Sequence, residues 1–145
     1  MKAALVVLLC LFAGSLALTP TKGEDIVKHL QGIELDGEVF VIFFYDPQCC
    51  ADPDRTFNDD IKKDIQEKIL STDKGKKYIF YEIDTSSSEM EDVLTLLNVD
   101  KYQTKHGPVV LIACSGTGFW AHGRDSVDQI VGKMAQYDNL SLIHI

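Results

Sequence analysis

The hydrophobic positions of this chain change period several times, and each change predicts an element. From Glu24 to Ile33, Ile26, Val27, Leu30 and Ile33 recur at helical spacing among charged residues, which predicts a short amphipathic helix. "EVFVIFFY", residues 38–45, is continuously apolar and rich in Val, Ile and Phe; it predicts a strand covered on both faces, as in the middle of an α/β sheet. Ile61, Ile65 and Ile69 then recur every four residues among lysines and acids, predicting a helix that Asn58 is placed to cap and "KGKK" to end. "YIFYEID" (78–84) predicts a second central strand. Ser88 with Glu91 makes a capping-box pattern before a helix whose Met90, Val93, Leu94 and Leu97 share one face. "PVVLIAC" (108–114) predicts a third strand opening on a proline, "SGTG" a hairpin turn and "FWAHG" a short return strand. Val127, Ile130, Val131 and Met134 place a last helix against the sheet.

Early alternation of helix and strand followed by an antiparallel hairpin predicts an α/β fold. Its central sheet is mixed, with helices on both faces and a C-terminal hairpin plus helix. Both ends of the chain stand apart from that fold. Residues 1–17 carry Lys2, an apolar stretch from Ala3 to Ala13, and the small residues Ser15 and Ala17, the layout of a secretory signal peptide cleaved after Ala17. The stretch is shorter than the ~20 residues that cross a bilayer, so a retained anchor is the lesser reading. The apolar "LSLIHI" (140–145) follows polar "QYDN" and resembles the translation of a transposon end used in sequencing libraries. It is set aside as a non-native tail, and with it the sequon at Asn139, which needs Ser141. Residues 18–139 remain as one domain of ordinary size.

The chain of 145 residues has a formal charge of -8, and losing the signal, with Lys2 as its one charge, leaves -9. A chain this acidic is repelled by nucleic acid and by anionic lipid, so neither is expected as a partner, nor a membrane once the signal is cleaved. No cofactor motif is present. Cys10 leaves with the signal, and Cys49, Cys50 and Cys114 remain. That is an odd number for an oxidising compartment, so at least one thiol is free, modified or bonded to another molecule.

The element order, a thiol site just after a central strand and a proline opening a later strand resemble the thioredoxin fold. The local sequence is most similar to the protein disulfide isomerase branch, where the pattern is roughly F-Y-A-P-W-C-G-H-C; here the chain reads "FYDPQCCAD". Phe44, Tyr45 and Pro47 match, Cys49 falls on the attacking cysteine, and Pro108 falls on the cis-proline facing the site. "HGRDSVDQIVGKM" resembles the family's glycine-containing strand end, arginine and last helix. The resemblance spans about residues 22–137. It implies that Cys49, with Cys50, carries the chemistry, and that Pro47, Gln48, Gly107 and Pro108 contact a client's backbone. Four departures weaken the implied activity. Asp52 stands in place of the resolving cysteine, Gln48 of the tryptophan, Cys50 of the glycine, and Phe43 of the buried acid that accepts a proton.

Elementary chemistry pulls Cys49 both ways. A site just ahead of a helix N-terminus favours the thiolate, whereas Asp46, Asp52 and Asp54 oppose it. Neighbouring Cα atoms sit ~3.8 Å apart against the usual ~4.4–6.8 Å of a disulfide, which argues against a Cys49–Cys50 bond. Cys114, six residues beyond Pro108, lies about 20 Å away along its strand and reads as a buried small apolar residue. A disulfide to a partner and metal binding with His106 are further outcomes for the pair, although two thiolates and one histidine leave a zinc site incomplete. His29 and His122 read as solvated or packing residues. "DPDRTFNDD" lacks EF-hand spacing and reads as a solvated loop and helix start. Two functions are therefore expected to compete in the secretory pathway, either in the endoplasmic reticulum lumen or outside the cell. One is a weak or lost monothiol-type exchange site on a surface that binds client or partner proteins, at times through a mixed disulfide. The other is an active disulfide oxidoreductase in which Cys49 attacks and Cys50 or an outside thiol resolves.

Overall fold

Val39–Tyr45 forms strand β1, and every side chain from Phe40 to Phe44 is buried, as the unbroken apolar run requires. The computed structural model describes residues 22–32 and 37–143, with side chains through residue 136. The signal segment, Ile33 and the last two residues of the tail lie outside the described residues. Strand β2 (Ile79–Asp84) runs parallel to β1, pairing Phe40 with Ile79 through Tyr45 with Asp84. Strand β3 (Val109–Cys114) runs antiparallel on the other side, pairing Val39 with Cys114 and Phe44 with Val109. Strand β4 (Thr117–His122) pairs antiparallel with β3 and completes the order β2-β1-β3-β4. Ser115 (φ 49°) and Gly116 (φ 79°) make the two-residue turn between them, both in the left-handed region that a tight hairpin turn demands.

Alternation along β1 divides the core in two. Val41 and Phe43 point to one face, where Ile61, Ile65 and Ile69 meet Val127, Ile130 and Met134. Phe40, Ile42 and Phe44 point to the other, against Ile26, Met90, Val93 and Leu94. The first face is covered by helix α2 (Phe57–Asp64, continued by a π-helical turn over Ile65–Leu70) and the closing helix α5 (Ser126–Ile143). The second is covered by α1 (Gly23–Gln31) and α3 (Glu91–Leu96); the short α4 (Lys101–Thr104) leads back towards β3. Each buried isoleucine of the α2 stripe contributes roughly 1.5–3 kcal/mol by leaving water.

Several local expectations are corrected. Asn58 does not cap α2: the helix starts at Phe57, Asn58 lies in its first turn, and its amide is used elsewhere. The Ser88–Glu91 capping box does not form, because a 3-10 turn (Ser88–Met90) precedes α3 and Glu91 pairs with Lys101 instead. A side-chain cap forms at α4, where Asp100 accepts from the Tyr102 N–H at 2.8 Å. Val131 is exposed, since the buried stripe of α5 runs through Val127, Ile130 and Met134. Helix α5 itself runs to Ile143.

Candidate functional site

The loop leaving the C-terminal end of β1 carries the cysteines, and its first turn is built by Asp46. Asp46 Oδ1 accepts from the Gln48 N–H at 2.8 Å, and its carbonyl accepts from the Cys49 N–H at 3.0 Å. A short acid that bonds the backbone two residues on is the usual device for such a turn. Pro47 and Gln48 are thereby exposed at its corner, while Cys49 turns inward and retains 8% exposure. Asn58, one turn into α2, locks this arrangement by donating to the carbonyls of Asp46 (2.8 Å) and Cys49 (3.3 Å). Its own Oδ1 is buried without a partner.

Cys49 and Cys50 are joined in a disulfide across a cis peptide, with Cα atoms 3.0 Å apart. The expectation that the neighbouring cysteines stay unbonded is not met. Cys50 is half-buried against the core beneath α2 and α5. Cys114 is free and buried; it pairs with Val39, the opposite end of β1 from the thiol loop, so about 20 Å of strand separates them as expected.

Six residues, Ala51–Thr56, separate the cysteines from α2 through turns, so the pair does not sit just ahead of the helix N-terminus. Those turns are pinned by Asp54, which pairs with Arg124, whose guanidinium lies 4.6 Å over the Phe57 ring. The ring fills the place a side chain at residue 107 would need: a Cβ on Gly107 would stand 2.6 Å from Phe57 Cε1. Gly107 and Pro108 are both buried, and the bond between them is not cis; the bare glycine lets the chain pass behind the ring into β3 without that bond geometry. Among the described residues the cis X-Pro bond is Asp52–Pro53.

A cavity of about 280 Å³ opens between Tyr45, Pro47 and Cys49 on one side and Asn58, Lys62 and Glu82 on the other. Gly107 and Pro108 do not line it. Glu82 and Lys62 are the residues that sequence reasoning passed over. Parallel pairing sets Glu82 beside Phe43, the position where the family's acid is missing, with its side chain on the same face of the sheet. The signal was a lone acid inside the apolar strand "YIFYEID". Lys62 Nζ lies 2.6 Å from Glu82 Oε1. Burial raises the pKa of Tyr45, helped by the charges of Asp84 and Glu82 and opposed by Lys62. The three acids around Cys49 are also less unopposed than the sequence implied. Asp54 meets Arg124, and Asp52 lies 3.9 Å from Arg55. His106 is exposed, its ring 4.9 Å from that of Tyr102, and no group of three or more His, Cys, Asp or Glu forms a metal-holding cluster among the described residues.

No protein-family model and no curated protein sequence matches this chain. Solved structures do. Chloroplastic thioredoxin z is similar at a TM-score of 0.52 and 14% identity, over 83% of this chain and 93% of that one. Thioredoxin O2 from Arabidopsis thaliana, in its oxidized state, is similar at a TM-score of 0.55 and 16% identity, over 82% of this chain and 92% of that one. The chain has a thioredoxin-like fold of the α/β class, with a mixed sheet between helices.

Proposed function

We propose that this protein performs slow thiol–disulfide exchange with protein partners in the secretory pathway, using Cys49 and Cys50 as one redox couple. The observation that carries the reading is the bond between the two sulfurs, at the C-terminal end of the central strand of a thioredoxin-like fold. It makes Cys50 the resolving thiol that position 52 no longer supplies. In the reduced protein the Cys49 thiolate attacks a partner disulfide, forming a mixed disulfide and releasing one partner thiol. Cys50 then attacks the Cys49 sulfur, closes the ring and releases the second thiol. The partner disulfide is reduced by two electrons and the pair is oxidised by two. Resemblance of "FYDPQC" to the protein disulfide isomerase branch, and the signal-like residues 1–17, support partner type and compartment. Exposed Pro47 and Gln48 are the first residues a client meets, whereas Gly107 and Pro108 are buried and do not line the cavity.

A second reading has its own support: Cys49 is 8% exposed, which favours a partner-binding surface without turnover. Insulin reduction and mixed-disulfide trapping on the parent, Cys49→Ala and Cys50→Ala separate the two. Exchange predicts turnover by the parent and a client trapped by Cys50→Ala but not by Cys49→Ala. Absence of both turnover and trapping leaves the binding reading. Asp52→Cys is expected to raise turnover by adding a less constrained resolving thiol. Secretion of a tagged chain with its N-terminus at Leu18 tests the compartment.

A further inference from the structure

Glu82 and Lys62 form an ion pair that the exchange steps do not use, yet both line the cavity into which Cys49 opens. The two partners are unequal. Glu82 is held on strand β2 with 17% of its side chain exposed, whereas Lys62 on α2 is 53% exposed and screened by solvent. The anion is therefore the better-fixed and less-screened charge. At Tyr45, the cavity neighbour on β1, burial acts most strongly, then the charge of Asp84, the next acid on that face of β2, then that of Glu82, with Lys62 opposing less strongly than either acid.

We infer that Glu82 is a brake on Cys49: its carboxylate, placed from β2 beside the strand position that lacks an acid, holds the reduced Cys49 as a thiol, and Lys62 relieves part of that hold. A carboxylate disfavours a nearby thiolate because like charges repel, and an ammonium does the reverse. The other charges near the sulfur are common to every variant compared below. Asp46 accepts from the Gln48 N–H, Asp54 pairs with Arg124, and Asp52 faces Arg55 in solvent. Asp59 and Arg55, both exposed, face the cavity from α2 and the loop and Tyr45 from β1, while Asp84 on β2, paired with Tyr45, accepts from the Ser86 N–H and hydroxyl. Glu82 is a positioning residue by this argument, acting through the sulfur and not on the partner. The inference deepens the exchange reading and rests on it for Cys49 as nucleophile.

The test measures iodoacetamide alkylation of Cys49 against pH in a Cys50→Ser chain, read at the Cys49 peptide by mass spectrometry. Taking ~8 Å across the cavity for scale, a unit charge changes the thiolate fraction roughly two- to six-fold for an effective dielectric of about 40–80. Glu82→Gln is expected to speed alkylation at neutral pH by that factor and to move the half-maximal pH down. Lys62→Met is expected to slow it by a similar factor and move the half-maximal pH up. Glu82→Asp, which keeps the charge, should hold the parent profile, and the Glu82→Gln/Lys62→Met double variant should return to within about twofold of it. A loosened loop would instead expose the sulfur and speed alkylation in both single variants without moving the half-maximal pH. That result, or unchanged profiles in both, overturns the inference. If Lys62→Met does not fold, Lys62→Gln takes its place. Shifted profiles in a chain that turns over no partner would sink the exchange reading and leave the brake standing; turnover with unmoved profiles would do the opposite.

Discussion

Replacing Asn58 separates the two jobs its side chain performs, because its donors and its acceptor are in opposite states. The amide nitrogen holds the carbonyls of Asp46 and Cys49, while Oδ1 is buried with no partner. Each lost hydrogen bond is worth about 0.5–1.5 kcal/mol, so Asn58→Ala forfeits about 1–3 kcal/mol. It also removes a buried unsatisfied acceptor whose burial costs about 1–3 kcal/mol, so the net loss should be near 1 kcal/mol or less. Asn58→Asp loses the same donors but keeps an acceptor, now charged and turned towards two carbonyls. It should cost about 3 kcal/mol or more at neutral pH. Acidification should narrow that gap. The introduced carboxyl has its folded-state pKa raised by the carbonyls, so its penalty is present above the folded pKa and is lost as pH falls through it. The protonated acid can then donate. Urea unfolding of the oxidised protein at neutral and acid pH gives the stability order, and the rate of disulfide reduction by dithiothreitol reports the loop. Faster reduction is expected in both variants. An alanine variant less stable than the aspartate variant, or no change in either stability or reduction rate, would refute the view of Asn58 as the clamp on the thiol turn.

Gly107→Ala puts a Cβ 2.6 Å from the Phe57 ring and must displace it from under Arg124; a loss of about 1–3 kcal/mol is expected by urea unfolding, and an unchanged midpoint would contradict the packing. Thiol titration of an unfolded chain beginning at Leu18 should find one reactive group before reduction, Cys114, and three after it; three before reduction would dismiss the Cys49–Cys50 bond. Burial raises the pKa of both Tyr45 and Tyr81, so their contribution to stability is complete below the ordinary tyrosine value of about 10 and is lost as pH rises through their folded values. Stability followed by urea at alkaline pH should fall in that window, and Tyr45→Phe with Tyr81→Phe should flatten the fall; an identical fall in the double variant would place its cause elsewhere.

The layers of this fold were legible because they depend on period alone. An unbroken run at 38–45 has one economical use, and the alternation of β1 between two clusters follows from its pleat. Caps were read less well, since they turn on competition between partners. Glu91 had a lysine available at 101, and Asn58 had two carbonyls from a loop twelve and nine residues earlier. The place of the cysteine loop at the end of β1 was legible, and the charges around it were not. Counting Asp46, Asp52 and Asp54 along the chain gave three acids near Cys49, whereas Arg124, seventy residues from Asp54, enters only through the fold. Glu82 was hidden for the same reason: which residue of β2 stands beside Phe43 is a matter of register, and register is not written in either strand alone.

The restraints on the thiol loop also bear on how exchange could proceed. Asn58 ties the Asp46–Cys49 turn to α2, the Arg124–Phe57 stack ties Asp54 to the start of α2 and to Gly107, and Cys50 packs into the core below. None of these contacts involves the bond between the sulfurs. Breaking that bond therefore leaves the loop held at three points, and the reduced thiols stay close to where the closed ring placed them. The entropy of bringing Cys50 back to Cys49 has already been met by the loop's own packing. What remains variable at this site is charge, and the cavity charge fixed most firmly by the fold is Glu82. On the exchange reading, a loop tied at three points beside a carboxylate held on β2 leaves thiol ionisation as the step expected to set the rate.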